Sequence, residues 1–459
     1  MTVEKRTETV AAMVAAAAKG RALMGGSGAM RTAGEMYLPK FKAEDPLDYT
    51  ARLTASWLFN GFRKSVHDMT GRVFDKPVEV AEGPNQLIEW AENIDMQGRD
   101  LSTFASEVFK DGFASGVSYI MADAPKRNGE TTRAQASAAG LRPYLVHLKV
   151  EEVLGWKTET YGNVLAFSQF RILEQATQAR ADDEFAEDAI GQVRVLDRTD
   201  TGVNVRIYRE EKDAWYLFDE YTTDAQEITV IPYYARRTGF ATGEPVLDDL
   251  ADVNIAHWQS QSDQRNILHF ARVPILHAAG RNSDDGPLTI SASQAVSSGD
   301  YQAKLEWVEH SGQAIGAGRQ DLKDLEFQME TLGLQLLVQS AQTATGAALD
   351  AAKETSGLAM MADSLKDALE QALAWAADYG GLGEQSITLS VNKEFGVSMM
   401  TAQEVAALLS AVNTGNISRE TLIEEMKRRG VLRPDLDTQE EMDRIDTEGP
   451  DLGLTDGGF

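Results

Sequence analysis

Apolar and polar positions divide the chain into stretches of different period. Over 144–234 they alternate, predicting strands at 144–148, 164–171, 193–198, 203–208, 215–220 and 228–232, parted by turns such as Asp200-Thr201-Gly202. Before that region the spacing is helical. Pro46 opens a helix whose apolar face reads Leu58, Phe62, Val66, Met69 and Val73, and Lys76-Pro77 stops it. A second helix over 101–113 carries Leu101, Phe104, Val108 and Phe109 on one side and leads into a buried strand at 117–121. The segments 126–140 and 181–188 read as loops, the second acidic.

After residue 244 the helices lengthen. Pro245, with Asp248 and Asp249 within a turn of it, marks a helix start, since proline has no N–H to lose there and the acids complement the dipole. Leu247, Leu250, Asn254 and Trp258 follow at 3/4 spacing. The next eight residues, QSQSDQRN, are polar but hold no breaker, so the helix continues to about 26 residues, roughly 39 Å. Half of it is too polar for a core, which suits a wall packed on copies of itself and facing water. A Gly/Ser/Asp-rich stretch, 274–316, with strand-like pieces at 288–291 and 304–308, forms a small β module before the second long helix. That helix, 321–338, places Leu322, Leu325, Met329, Leu332 and Leu336 on a heptad seam interrupted by Gly333. The segment 339–353 is small and polar. Thr355 or Ser356 caps a third long helix with Leu358, Met361, Leu365, Leu369 and Ala372 on one face, ended by Gly380-Gly381. A strand at 387–391, a capping box at Thr401 to Glu404 and a helix capped by Ser418 complete the order. Residues 1–36, rich in Ala, Gly and Met, read as a mobile arm with a short surface helix. The acidic end, 433–459, reads as disordered.

Composition narrows the chemistry. The 459 residues carry a net charge of −27, which opposes nucleic-acid binding through a broad basic face. The absence of cysteine excludes disulfides, thiolate zinc sites and iron–sulfur clusters and fits assembly in a reducing cytoplasm. No run of 18 apolar residues exists, so no membrane span is expected. There is no phosphate-binding loop with its lysine and no G-x-S-x-G elbow. The histidines His67, His147, His257, His269, His277 and His310 have neither HExxH spacing nor a ligand cluster. No catalytic residue, cofactor or metal is therefore expected, and the chain reads as a non-enzyme.

The order of elements carries a resemblance. An α/β region, a long helix, a small β insertion, a second long helix, a polar loop, a third long helix and a helical end together resemble the portal proteins of tailed bacteriophages. Particular stretches resemble the family too: YLP before a helix ending in GRVFDKP, the strand at Gly116-Val117-Ser118-Tyr119, PVLDDLADVNIAHWQSQSDQRNILHFARVPIL, and WVEHSGQAIGAGRQDLKDLEFQMETLGLQLL. The resemblance covers roughly 37–430 and implies an α+β fold of portal type. It implies an N-terminal arm (1–36), a wing (37–244), a first stem helix (245–273), a clip (274–316) and a second stem helix (317–337). A tunnel loop (338–354), a long helix returning to the wing (355–400), a crown (401–432) and an acidic tail (433–459) follow.

By the same resemblance, Gln339, Ser340, Gln342, Thr343, Thr345 and Gly346 would touch DNA in the channel. Trp258, Gln261, Asp263 and Arg265 would face the channel or a neighbouring subunit, and Leu322, Leu325, Met329, Leu332, Leu336, Leu358, Met361 and Leu365 would pack between subunits. The implied function is a ring of about twelve subunits at one capsid vertex of the virion, assembled in the host bacterial cytoplasm. Its implied partners are the terminase large subunit, the head-to-tail adaptor, the major capsid and scaffolding proteins, and double-stranded DNA in transit, with no membrane. An acidic wall fits that role because it repels phosphates instead of trapping them. The alternative is a phage-encoded acidic metal-dependent hydrolase, a nuclease or protease built on converging carboxylates.

Overall fold

The computed structural model describes residues 3–126, 135, 140–180, 183, 185–212, 214–272, 275–279, 304–308, 313–334, 357–383, 386–392, 408–412, 414–428, 431–433 and 436–448. Helices and strands are mixed in an α+β fold. The contacts separate two compact units, 1–392 and 393–459.

The first unit begins with a packed helix where a mobile arm was expected. In α1 (Glu8–Ala33) the Thr7 side chain caps the start, and Val10, Met13, Ala17, Gly20, Leu23 and Met30 are buried. Up to Leu23 these positions recur every three or four residues, so Ala17 and Gly20 sit on a buried stripe that allows close approach, and at Gly26, with φ 74°, the helix kinks. At Gly20 a Cβ would stand 3.0 Å from the Ala114 Cβ on α5 (Leu101–Ser115). Arg21 then pairs with Asp111 of α5 and Glu151, and Lys19 with Asp248 and Asp252 at 2.9 and 2.6 Å.

The single helix expected from Pro46 is two. Asp45 caps α2 (Pro46–Ala55), and Asn60 caps α3 (Gly61–Val73). After α3 come the short strand β1 (Glu79–Glu82), α4 (Asn85–Ala91) and α5. At Gly116, φ is 76°, a left-handed turn that closes α5 by donating to the Gly112 carbonyl. A Cβ there would also collide with the Glu244 backbone.

Two antiparallel sheets follow. One has the order β3 (Tyr144–Leu148), β2 (Val117–Asp123), β9 (Val230–Tyr234). The other is a meander of β4 (Val153–Tyr161), β5 (Val164–Ala179), β6 (Glu187–Thr199), β7 (Gly202–Glu211) and β8 (Ala214–Thr223). The alternating pattern located β3 over its full length, β5 to β8 short of theirs and β9 two residues early, and it missed β4. Both sheets and α1 share one core that includes Val10, Met13, Tyr119, Phe170, Ile172 and Val230. A small hairpin, β10 (Arg237–Gly239) and β11 (Thr242–Gly243), leads to the long helices.

Helix α6 (Asp248–Ala271) starts three residues after Pro245. Strands β12 (Ile275–Ala279) and β13 (Lys304–Val308) pair antiparallel from Ile275 opposite Val308 to Ala279 opposite Lys304. Of these, β13 was expected and β12 was not, while the expected strand at 288–291 lies outside the described residues. Helix α7 (Gln313–Leu334) contains Gly333 without a break. The glycine is buried against α3, where a Cβ would strike the Ser65 hydroxyl.

Helix α8 (Gly357–Tyr379) ends where Gly380-Gly381 was expected to end it, with Gly381 at φ 68°. Leu358, Met361 and Leu365 are fully buried. These residues were expected to pack between subunits. Instead α8 lies on β2 and β9 of the same chain, and its apolar face is consumed there. The chain then returns as β14 (Thr388–Ser390), antiparallel to β1.

In the second unit, Ser418 caps α9 (Arg419–Arg428) by accepting from Thr421 N–H at 3.0 Å. The end expected to be disordered contains α10 (Thr438–Glu448). Asp437 caps it by accepting from the Gln439 and Glu440 amides, and Glu440 and Glu441 complement the dipole. The capping box at 401–404 lies outside the described residues.

Candidate functional site

Helices α6 and α7 pack side by side and antiparallel. His257 faces Glu326 (Nε2 to Oε1, 3.4 Å), Ser260 Oγ donates to Asp321 Oδ2 at 2.6 Å, and Gln264 Nε2 donates to the Ile315 carbonyl at 3.0 Å. Residues advance along α6 as they recede along α7. Gly318 gives Gln264 its room, since a Cβ there would overlap the Gln264 carboxamide. Leu322 and Met329 are buried, with Met329 filling the space over Gly61.

The other side of α6 is fastened to the α2–α3 break. The fully buried Asn254 accepts from Phe62 N–H (2.9 Å) and donates to the Phe59 carbonyl (2.8 Å), repairing a backbone that no helix satisfies. Ser56 Oγ donates to Ser262 Oγ at 2.9 Å, and Gln259 Nε2 donates to the Tyr37 carbonyl at 3.0 Å. Arg52 makes a two-pronged pair with Glu44 at 2.6 and 2.8 Å, lies over the Phe41 ring at 4.3 Å, and stands 3.6 Å from Asp263. The hydrogen bond from Arg52 holds the Glu44 carboxyl below its usual range, while burial pushes Asp263 up.

The polar run of α6 therefore does not face water as a whole. Ser262 and Gln264 are buried, and Gln261 and Asp263 are half-buried. Their polarity serves the seam with α7 and the α2–α3 break. Of the four residues assigned to a channel or subunit face, Trp258 is wholly inside the chain and Arg265 is exposed. On α7, Leu325 and Leu332 are half-buried, while Phe327 is 70% exposed. Leu336 and the loop residues Gln339, Ser340, Gln342, Thr343, Thr345 and Gly346 lie outside the described residues.

Two polar groups at the seam have no hydrogen-bond partner among the described residues: His257 Nδ1 and Trp258 Nε1. Burial lowers the His257 pKa, with Glu326 opposing. Its ring rests on Phe59, centroids 5.2 Å apart. The Arg52–Glu44 pair escaped sequence reasoning because Glu44 lies just before α2 and Arg52 in its last turn, a separation that matches no i,i+3 or i,i+4 helix pair. Asn254 gave one signal, a polar residue on an otherwise apolar stripe.

A second cluster imitates a catalytic serine. Ser118 Oγ is 2.7 Å from His147 Nε2, and Asp111 Oδ2 is 3.7 Å from the same nitrogen. A nucleophile needs its carboxylate on the opposite ring nitrogen. Here both groups crowd one nitrogen, all three side chains are buried, and Arg21 binds the other oxygen of Asp111. The cluster fastens α1 to the sheet. Among the described residues, no group of three or more His, Asp or Glu is placed to hold a metal ion.

A family model described as "Domain of unknown function (DUF4055)" matches residues 246–380. No curated protein matches the chain. Among solved structures, the chain overlaps one from the neck of an empty gene transfer agent (GTA) particle computed with C6 symmetry, at TM-score 0.40 and 12% identity. It also overlaps one from the virion of the native particle, at 0.38 and 12%, and one from the native neck computed with C12 symmetry, at 0.39 and 13%. Each overlap covers 81% of this chain and 89% of the other. At such TM-scores these likenesses assign nothing. The family match brackets α6, the β12–β13 pair, α7 and α8.

Proposed function

We propose that the chain is the subunit of a portal-type ring of about twelve copies at one capsid vertex, through which double-stranded DNA is packaged and ejected. The observation that carries this reading is the antiparallel α6–α7 pair. The two helices leave an α/β body together, carry a two-stranded module between them, and give way to a third long helix that returns to the body. Twelve such pairs side by side make a channel wall, with the body as wing, β12–β13 as clip and 338–354 as tunnel loop.

Two further features support the reading. Phe327 projects from α7 between the charged residues Lys323 and Glu330, an apolar group placed for a neighbouring helix. The net charge of −27 gives a wall along which duplex DNA slides without adhering. The role is structural, with terminase and the head-to-tail adaptor as docking partners and the virion as its place. Native mass spectrometry and electron microscopy of the purified full chain test it. Rings of about a dozen subunits, favoured by moderate salt that screens like charges, are expected. A monomer at every salt concentration would overturn the proposal.

A further inference from the structure

Three non-glycine residues among those described have a left-handed backbone: Met96 (φ 60°), Lys212 (φ 51°) and Ala241 (φ 56°). Met96 and Lys212 are exposed, whereas Ala241 is wholly buried. In this region Cβ crowds the carbonyl that follows, so alanine stays there only where its surroundings impose it. Two phenols do so. Tyr119 Oη, on β2, donates to the Ala241 carbonyl at 2.7 Å, and Ala241 N–H donates to Tyr234 Oη, at the end of β9, at 2.8 Å.

Ala241 lies at the tip of the β10–β11 hairpin, between β9 and α6. The pairing there is short: Arg237 stands opposite Gly243 and Gly239 opposite Thr242, with a bulge between. Phe240 adds one contact, its ring 5.0 Å from that of Phe167 on β5. The base of the hairpin is fastened separately. The Gly116 carbonyl accepts from the Ala235 and Arg236 amides at 3.0 and 2.9 Å, and Val246 N–H donates to the Phe113 carbonyl at 3.2 Å. Glu244 N–H donates to the Arg236 carbonyl at 3.1 Å, and the two side chains form an ion pair at 2.9 Å.

We infer that residues 237–243 are a flap that opens by itself on this fixed base, carrying Phe240 and Ala241 away from Phe167 and Tyr119. Strain and attachment oppose each other at one residue. The left-handed backbone raises the free energy of the closed flap alone, because opening lets Ala241 leave that region. The phenol bonds and the Phe240 contact hold it shut. Strand β2, by contrast, is paired on both sides, with β3 and β9. Segments held by few buried contacts open before the core around them does. Opening does not drag α6 along, since Asn254 and Lys19 bind that helix to the body independently. The flap is thus a movable cover on a rigid frame.

The chain has no cysteine, so one introduced thiol reports opening by its rate of reaction with a thiol reagent. Ala241→Cys probes the flap and Ala122→Cys, buried on β2, probes the sheet. Both are made in the full chain and followed through a series of urea concentrations below the unfolding transition. A local opening exposes little surface, so reaction at position 241 should be fast and nearly independent of urea, while reaction at 122 should be slower and rise steeply. Parallel urea dependences would mean that both sites are reached only by unfolding of the whole unit, and would overturn the flap. Adding Tyr234→Phe removes one holding bond and should speed reaction at 241 by roughly three- to tenfold. An unchanged rate overturns the inference. Hydrogen exchange of the unaltered chain makes the same comparison without a new thiol. Amides of 237–243 should exchange faster than those of 117–123 and with less response to urea, and equal protection defeats the proposal.

Discussion

Gly20 of α1 lies so close to Ala114 of α5 that a Cβ on the glycine would stand 3.0 Å from the alanine Cβ and 3.1 Å from its Cα. Gly28, exposed and beyond the kink at Gly26, has nothing within 4 Å of the equivalent position. The two glycines should respond oppositely. Gly20→Val forces α1 off α5 and is expected to cost about 1–3 kcal/mol. Gly28→Ala removes backbone freedom at no steric cost and should stabilise by about 0.5–1 kcal/mol. Urea midpoints for the two variants decide it.

Asn254→Leu should be among the more damaging substitutions in α6. It leaves the buried Phe62 N–H without its partner, at about 1–3 kcal/mol, and takes from the Phe59 carbonyl one of its two donors, the other being Gly61 N–H at 3.2 Å. A thermal or urea midpoint close to wild type would show that the α2–α3 break holds without the carboxamide.

Asp111 sets an acid limit. Burial pushes its carboxyl up, but His147 and the Arg21 guanidinium outweigh burial and hold it well below the carboxylate range. A depressed folded-state pKa stabilises fully above the unfolded value near 3.8 and is lost as pH falls below it. Asp111→Asn should cost about 3 kcal/mol at neutral pH, the low end for a broken buried pair because Arg21 keeps Glu151. The variant should also show a shallower decline in stability below pH 4. An unchanged acid slope contradicts this.

His257 acts higher on the pH scale. Burial lowers its pKa from 6.5, so the folded state holds the neutral ring and the unfolded chain binds the proton first. Its contribution is complete above pH 6.5 and declines as pH falls toward the lowered value. Unfolding midpoints of His257→Leu between pH 7 and 5 should fall less steeply than those of the wild type. Parallel curves would place the titration elsewhere.

Replacing residues 341–348 with a short Gly-Ser turn tests the proposed tunnel loop. Gln342, Thr343 and Thr345 can donate to phosphates without adding charge. Rings should form normally by electron microscopy, and those rings should fail to package or retain DNA. Full genomes in particles built from the shortened protein would reduce the segment to a connector.

Periodicity revealed which faces are buried, but not what buries them. The stripe Leu358, Met361, Leu365 read correctly as apolar, yet its partner is the chain's own sheet, a fact that spacing alone does not contain. The α1 stripe failed differently. Small residues mark both flexible tethers and closely packed helices, and only Ala114 opposite Gly20 decides between them. The end of β5 and the start of β6 were missed because neither face is buried there, so EQATQA and EDAIG show little hydrophobic contrast. The polar half of α6 was legible as helix, but its water-facing role was not, since Ser262 and Gln264 find their partners on α2, α7 and the segments beside them.

The pairing of β1 with β14 has a consequence for synthesis. Strand β1 ends at Glu82 and its partner begins at Thr388, so about 300 residues must be made between them. At about 5–20 residues per second, β1 waits roughly 15–60 seconds on the ribosome for its neighbour. Its unpaired backbone is an invitation to aggregate during that interval, and its four residues with Glu79 and Glu82 at the ends are short and charged enough to discourage it. Because α6, α7 and α8 all emerge before Thr388, this strand pair closes only after every long helix has been translated.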